Sequence, residues 1–133
     1  MHVLARRISP YSGTDPLFLG LFSDAARANK ARIDYLARVL SDDPWRRQAY
    51  RDVKLGEDVV TIEIQDRRTD VSRGIVFLVT SYFEGMGQSV RHFEAIFSDR
   101  ESASIYTKER QAGPIETIPD YCDVDEVVLN VSR

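Results

Sequence analysis

Cysteine occurs once in these 133 residues, at Cys122, and histidine twice, at His2 and His92. An intrachain disulfide is therefore excluded and a cysteine-based zinc site disfavoured, which fits a reducing compartment. Neither sign of charge dominates. Eighteen basic residues face 21 acidic ones, a net −3, so no global field draws the chain to nucleic acid. No apolar run approaches the length that crosses a bilayer. The opening Met1-His2-Val3-Leu4-Ala5-Arg6-Arg7 turns charged too soon for the apolar core of a signal peptide. The expected setting is the cytoplasm, with no membrane partner. Phosphate-binding Gly-rich loops, paired-histidine zinc motifs and Gly-x-Ser-x-Gly elbows are also absent, and no cofactor is expected.

What remains is an ordinary globular composition, 43% apolar and 29% charged, at a length suited to one domain. Within it the chain repeats itself. When Met1 is laid on Val76 and no gap is introduced, Leu21-Phe22-Ser23-Asp24 falls on Ile96-Phe97-Ser98-Asp99, Phe18 on Phe93 and Ala28 on Ala103. Met1-His2-Val3-Leu4 falls on Val76-Phe77-Leu78-Val79, and Ile8 on Phe83. Further on the offset shortens: Tyr50-Arg51-Asp52-Val53 resembles Tyr121-Cys122-Asp123-Val124, and Glu57-Asp58-Val59-Val60 resembles Asp125-Glu126-Val127-Val128. Ordered matches of this kind predict a duplicated unit. The first repeat covers residues 1–66, a polar linker 67–74, and the second repeat 75–133.

Each unit reads as β-β-α-β. First strands are predicted over 3–8 and 75–83, and second strands over 17–22 and 92–97, joined by polar Gly-bearing loops as hairpins. Ser23 and Ser98 are expected helix caps, the latter in a capping box with Glu101. Helices should span 24–40 and 99–111. The first carries the apolar stripe Ala28, Ala31, Tyr35 and Val39, and the second stops at Gly113-Pro114. Third strands are expected over 59–64 and 126–131. A three-stranded unit is marginal alone, so the two should pack about a pseudo-two-fold axis. The expected fold is α+β: a mainly antiparallel six-stranded sheet with two helices on one face, or two three-stranded sheets packed face to face.

Residues 75–129 resemble a small uncharacterised domain family of bacteria and their phages. The matching residues are Phe77-Leu78-Val79, Ala95-Ile96-Phe97-Ser98, Ala103 and Asp125-Glu126-Val127-Val128. The first repeat matches through Leu19-Gly20-Leu21-Phe22-Ser23. These motifs mark strand and helix boundaries. The resemblance implies a fold and no catalytic residue.

Functional residues are sought where the repeats differ. The segment Pro44-Trp45-Arg46-Arg47-Gln48-Ala49 extends the first repeat and holds the only tryptophan. Trp and Arg combine contact area with directed hydrogen bonds, so Trp45, Arg46, Arg47, Tyr50 and Arg51 form the preferred partner-facing surface. Against it stands a Trp45 that merely caps the core while the arginines are solvated. A second candidate is a pocket at the second hairpin, where Glu84, Arg91 and His92 would converge for acid–base work if the loop folded over a cleft. Cys122, among Asp120, Asp123 and Asp125, lacks the positive field that activates a thiol. Between Arg27 and Lys54 eight basic residues outnumber four acidic ones, which leaves nucleic-acid binding along helix one as a minor reading. The favoured function is non-enzymatic binding of another protein, in the manner of an immunity or antitoxin-like inhibitor or a phage-type regulator. The alternative is a small enzyme or ligand-binding module sited between the repeats near the hairpin loops. A monomer is slightly favoured.

Overall fold

The computed structural model describes residues 1–6, 17–42, 59–69, 71, 74–85, 88–114 and 118–133. In chain order these form β1 (His2–Arg6), β2 (Leu17–Phe22), α1 (Ala25–Asp42), β3 (Val59–Glu63), β4 (Arg67–Arg68), β5 (Ile75–Gly85), β6 (Gln88–Phe97), α2 (Arg100–Gln111) and β7 (Tyr121–Val128). The class is α+β, with two helices and mostly antiparallel sheets among the described residues.

The six expected strands do not form one sheet. Joined by the two-residue β4, they divide into a three-stranded sheet, order β2-β1-β3, and a four-stranded mixed sheet, order β4-β6-β5-β7. The physical reason lies in the central strands. β1 and β5 read as continuous apolar runs, which must be covered on both faces. Alternate residues meet that demand. Val3, Ala5, Val76 and Leu78 join Met1, Leu21, Ile64, Ile96, Val127 and Leu129 in a cluster between the two sheets. Leu4 packs with Leu19, Phe22, Ala28 and Ala31 beneath α1, and Val79 with Ala95, Phe97 and Ala103 beneath α2. The sheets thus face each other and each carries its helix outside. Two helices on one face of a single sheet would leave one side of these runs in water.

The β1–β2 and β5–β6 registers coincide when Met1 is laid on Val76 without a gap. His2 opposes Phe22 as Phe77 opposes Phe97, and Arg6 opposes Leu17 as Ser81 opposes His92. A β-bulge falls between Leu4 and Ala5 in one pair and between Val79 and Thr80 in the other. The third strands follow a different offset from the one the tetrapeptides suggest. Glu63 opposes His2 where Glu126 opposes Phe77, so the counterpart of Glu126 is Glu63 and not Asp58. Short acidic-apolar matches are too degenerate to fix a register; the backbone ladder does so.

The linker predicted to be merely exposed also departs from expectation. Arg67 and Arg68 form β4, parallel to β6, and the Ile96 amide donates to the Asp66 carbonyl at 3.2 Å. The chain leaving the other sheet does the reciprocal thing. After β7, the Asn130 and Arg133 amides donate to the Leu21 and Leu19 carbonyls of β2, at 2.8 and 2.7 Å. Each half therefore lends the segment after its last strand to the second strand of the other half. Phe18 and Phe93, equivalent under the same alignment, meet with ring centroids 6.1 Å apart.

Aspartates, not the expected serines, cap the helices. The Arg27 amide donates to Asp24 Oδ1 at 2.8 Å and the Ser102 amide to Asp99 Oδ1 at 2.7 Å. Ser23 instead gives its amide and hydroxyl to Asn130 Oδ1, at 2.9 and 3.2 Å, which pins the exchanged segment to the start of α1.

Candidate functional site

A β-bulge gives one strand an extra residue and re-aims its side chain. In β2 that residue is Leu19 and in β6 it is Glu94, and both point between their sheet and the covering helix. The two halves use this space differently.

In the second half a carboxylate fills it. Glu94, only 11% exposed, accepts from Ser81 Oγ at 2.6 Å, Tyr106 Oη at 2.9 Å and Arg110 Nε at 3.0 and 3.1 Å. Ser81 is wholly buried. Burial alone would raise the Glu94 pKa, but the hydrogen bonds from Ser81, Arg110 and Tyr106 outweigh it and hold the carboxyl below its ordinary value. Burial and the bond to Glu94 push the Tyr106 phenol up to about 12. Cys122, on β7 opposite Ser81, has its thiol raised by burial first and by the Glu94 charge second. A neutral thiol and a hydroxyl shut away from solvent are poor nucleophiles. This cluster ties α2 to its sheet.

In the first half the same space is open. Leu19, 4% exposed, stands where the second half has Glu94. At the same offset of the hairpin registers, Ala31 takes the place of Tyr106 and Tyr35 that of Arg110. A cleft of about 190 Å³ remains, lined by Leu4, Leu19, Ala31 and Tyr35 below and by Asp34, Arg38, Ser132 and Arg133 at its mouth. Arg6, at the position of Ser81, donates from Nη1 to the Tyr35 hydroxyl at 3.0 Å, and the Arg38 guanidinium lies 5.4 Å from the Tyr35 ring centroid.

An outer groove beside each helix repeats the contrast. Along α2 it measures about 210 Å³, and Arg68 from the exchanged segment sits 5.7 Å from both the Phe97 and Tyr106 ring centroids. Along α1 it widens to about 320 Å³, over Phe22 and Ala31, with Arg27, Lys30, Asn130 and Ser132 around it.

The residues singled out from sequence fare unequally. Trp45, Arg46, Arg47, Tyr50 and Arg51 lie outside the described residues. Glu84, Arg91 and His92 are described but do not converge. The expected loop is mostly strand, since Gln88 to Arg91 belongs to β6, and successive strand side chains point to opposite faces. Arg91 lies 5.2 Å from the Tyr82 ring, which stacks on Tyr121 at 4.4 Å. His92, on the opposite face, meets Phe83 edge-on at 5.2 Å. Glu84, near the strand end, is exposed, and its amide donates to Asp120 Oδ2. His2 pairs with Glu63 on the neighbouring strand at 2.6 Å, so the two histidines serve separate contacts.

Among the described residues no group of three or more His, Cys, Asp and Glu side chains is placed to hold a metal ion. None of the described helices is long and apolar enough to cross a membrane. Searched against protein-family models, curated proteins and solved structures, the chain matches none. The resemblance of residues 75–129 to an uncharacterised family therefore carries a fold expectation alone.

Proposed function

We propose that this chain is a non-enzymatic binding protein of the cytoplasm, made of two copies of one β-β-α-β unit. The second copy is scaffold and the first presents the binding surface. Coincident hairpin registers, the shared bulge, the reciprocal exchange of segments and the Phe18–Phe93 contact all favour a pseudo-two-fold duplication.

One observation carries the functional reading. The helix–sheet space that Glu94, Tyr106 and Arg110 fill in one half is open beside Leu19, Ala31 and Tyr35 in the other. Fixed polar groups around a concave, partly apolar space suit recognition. A protein partner, of the kind an inhibitor or a phage-type regulator engages, is the favoured occupant. Trp45, Arg46, Arg47, Tyr50 and Arg51, which follow α1 in sequence, are its proposed further contacts.

Affinity capture with the wild-type chain and with Ala31→Tyr tests this. The substitution installs the residue the second half carries at that position. A stoichiometric partner held by the wild type and lost with Ala31→Tyr is the expected outcome. Equal capture by both, or recovery of nucleic acid alone, contradicts the proposal.

A further inference from the structure

We propose that the outer edge of β7 docks an extended basic segment of a partner protein as an added strand, a contact separate from the first-half cleft. Segment exchange covers one side of each sheet: residues 130–133 lie along β2, and β4 lies along β6. The opposite sides are β3 and β7, and among the described residues no strand pairs with either outer edge. β7 is the longer, eight residues against five. The Leu129 amide donates to the Gly74 carbonyl at 2.8 Å, one step beyond the Ile75–Val128 pair. Antiparallel bonding alternates along a strand, so Cys122, Val124, Glu126 and Val128 turn their amides and carbonyls away from β5. That row is a template for one more strand.

Charge decides what the template accepts. β7 carries Asp123, Asp125 and Glu126 and no basic residue. Glu126 pairs with Arg100 at 3.3 Å, whereas Asp123 and Asp125 are exposed and make no ion pair or side-chain hydrogen bond among the described residues. The two share a strand face. On that face Arg91 lies two strands away, over the Tyr82 ring at 5.2 Å. A second copy is a poor occupant. When β7 is laid antiparallel on itself with its outward amides paired, the fullest overlaps set Asp123 opposite Asp125, or Asp125 opposite its own copy. Like charges directly opposite are destabilising, and opposite charges there are favourable. The fitting occupant is therefore a strand with Lys or Arg at alternate positions on the Asp123–Asp125 face. Its other residues run beside Val124 and the exposed Val128, which suits β-branched side chains.

The test is a ¹⁵N NMR titration of the full chain with acetyl-Thr-Lys-Val-Lys-Val-Lys-Thr-amide. The controls are the same peptide with Glu for Lys and a block-ordered isomer, acetyl-Thr-Lys-Lys-Lys-Val-Val-Thr-amide. Saturable shifts along β7 are expected with the alternating peptide, with a Kd of about 1 mM or tighter. Exchange of the Val124, Glu126 and Val128 amides should slow in the complex. The acidic peptide should not bind, and the block-ordered one should bind at least roughly fivefold more weakly. Asp125→Lys alters an exposed side chain and should abolish binding. Glu126→Pro removes an outward amide, which an edge strand tolerates, and should abolish it too. Ala31→Tyr should leave the peptide's affinity unchanged, so the cleft and the edge fail separately. Equal binding of the two basic peptides, or outward amides whose exchange does not slow, overturns the proposal. So does a folded Asp125→Lys or Glu126→Pro variant that still binds, loss of binding in Ala31→Tyr, or no binding by the wild type.

Discussion

Among single residues, Glu94 is where sequence and structure diverge most. In the chain it reads as one more charge on an alternating strand; in the fold it is a nearly buried anion with donors from a strand and a helix. Removing one member of such a group leaves the others buried without their partner. Glu94→Ala should therefore cost about 3 kcal/mol in thermal or urea unfolding. The sign of the pH effect follows from the depressed carboxyl. In the unfolded chain Glu94 returns to its ordinary value of 4.5, so its contribution is present above that pH and is lost as pH falls through the lower folded value. The melting temperature of the wild type should drop below about pH 4.5. Glu94→Gln should drop less steeply, with the capping Asp99, also depressed by its bond from the Ser102 amide, accounting for part of what remains. At the alkaline end Tyr106 ionises only near 12 in the fold, against 10.0 unfolded, so stability should fall as pH rises between these values. Phenolate absorbance should lose its highest-titrating component in Tyr106→Phe.

Among the elements, the exchanged segments replace free sheet edges with hydrogen bonds, and Gly20 shows how tightly. A Cβ built there would stand 2.9 Å from the Val131 carbonyl oxygen and 3.0 Å from the Phe22 ring. The equivalent position in the second half is Ala95, fully buried. Gly20→Ala should thus destabilise by about 1–2 kcal/mol and loosen the 130–133 segment, read as faster amide exchange at Asn130 and Arg133. Much of the element layout is legible in sequence. The hairpin strands and both helices follow from apolar periodicity, and the two hairpin registers share the offset that lays Phe22-Ser23-Asp24 on Phe97-Ser98-Asp99. The bulge is not legible, because nothing in Leu19-Gly20 or Glu94-Ala95 distinguishes an extra residue from an alternating one. Val59-Val60 against Val127-Val128 suggests the wrong third-strand register, since two valines fit a strand in either phase. Arg67 and Arg68 read as linker because a two-residue strand has no periodicity to detect. The open space beside Leu19 escapes notice for the same reason as the bulge that creates it.

In the molecule as a whole, the cluster between the sheets draws on both halves, from Val3 and Leu21 on one side to Leu78 and Ile96 on the other. A cavity there should be felt by both. Leu78→Ala is expected to cost about 3 kcal/mol, to preserve a single unfolding transition, and to reduce amide protection in β1 and β5 alike. Two transitions would mean that the halves fold separately. Outside this shared interior the halves part company: one helix–sheet space is filled by a caged carboxylate, and the other is open over an apolar floor. Crystals of the full chain under xenon pressure measure that asymmetry. A xenon atom beside Leu4, Leu19 and Ala31, with none near Glu94, is the expected result. No xenon at Leu19, or equal occupancy beside Leu19 and Glu94, would contradict it.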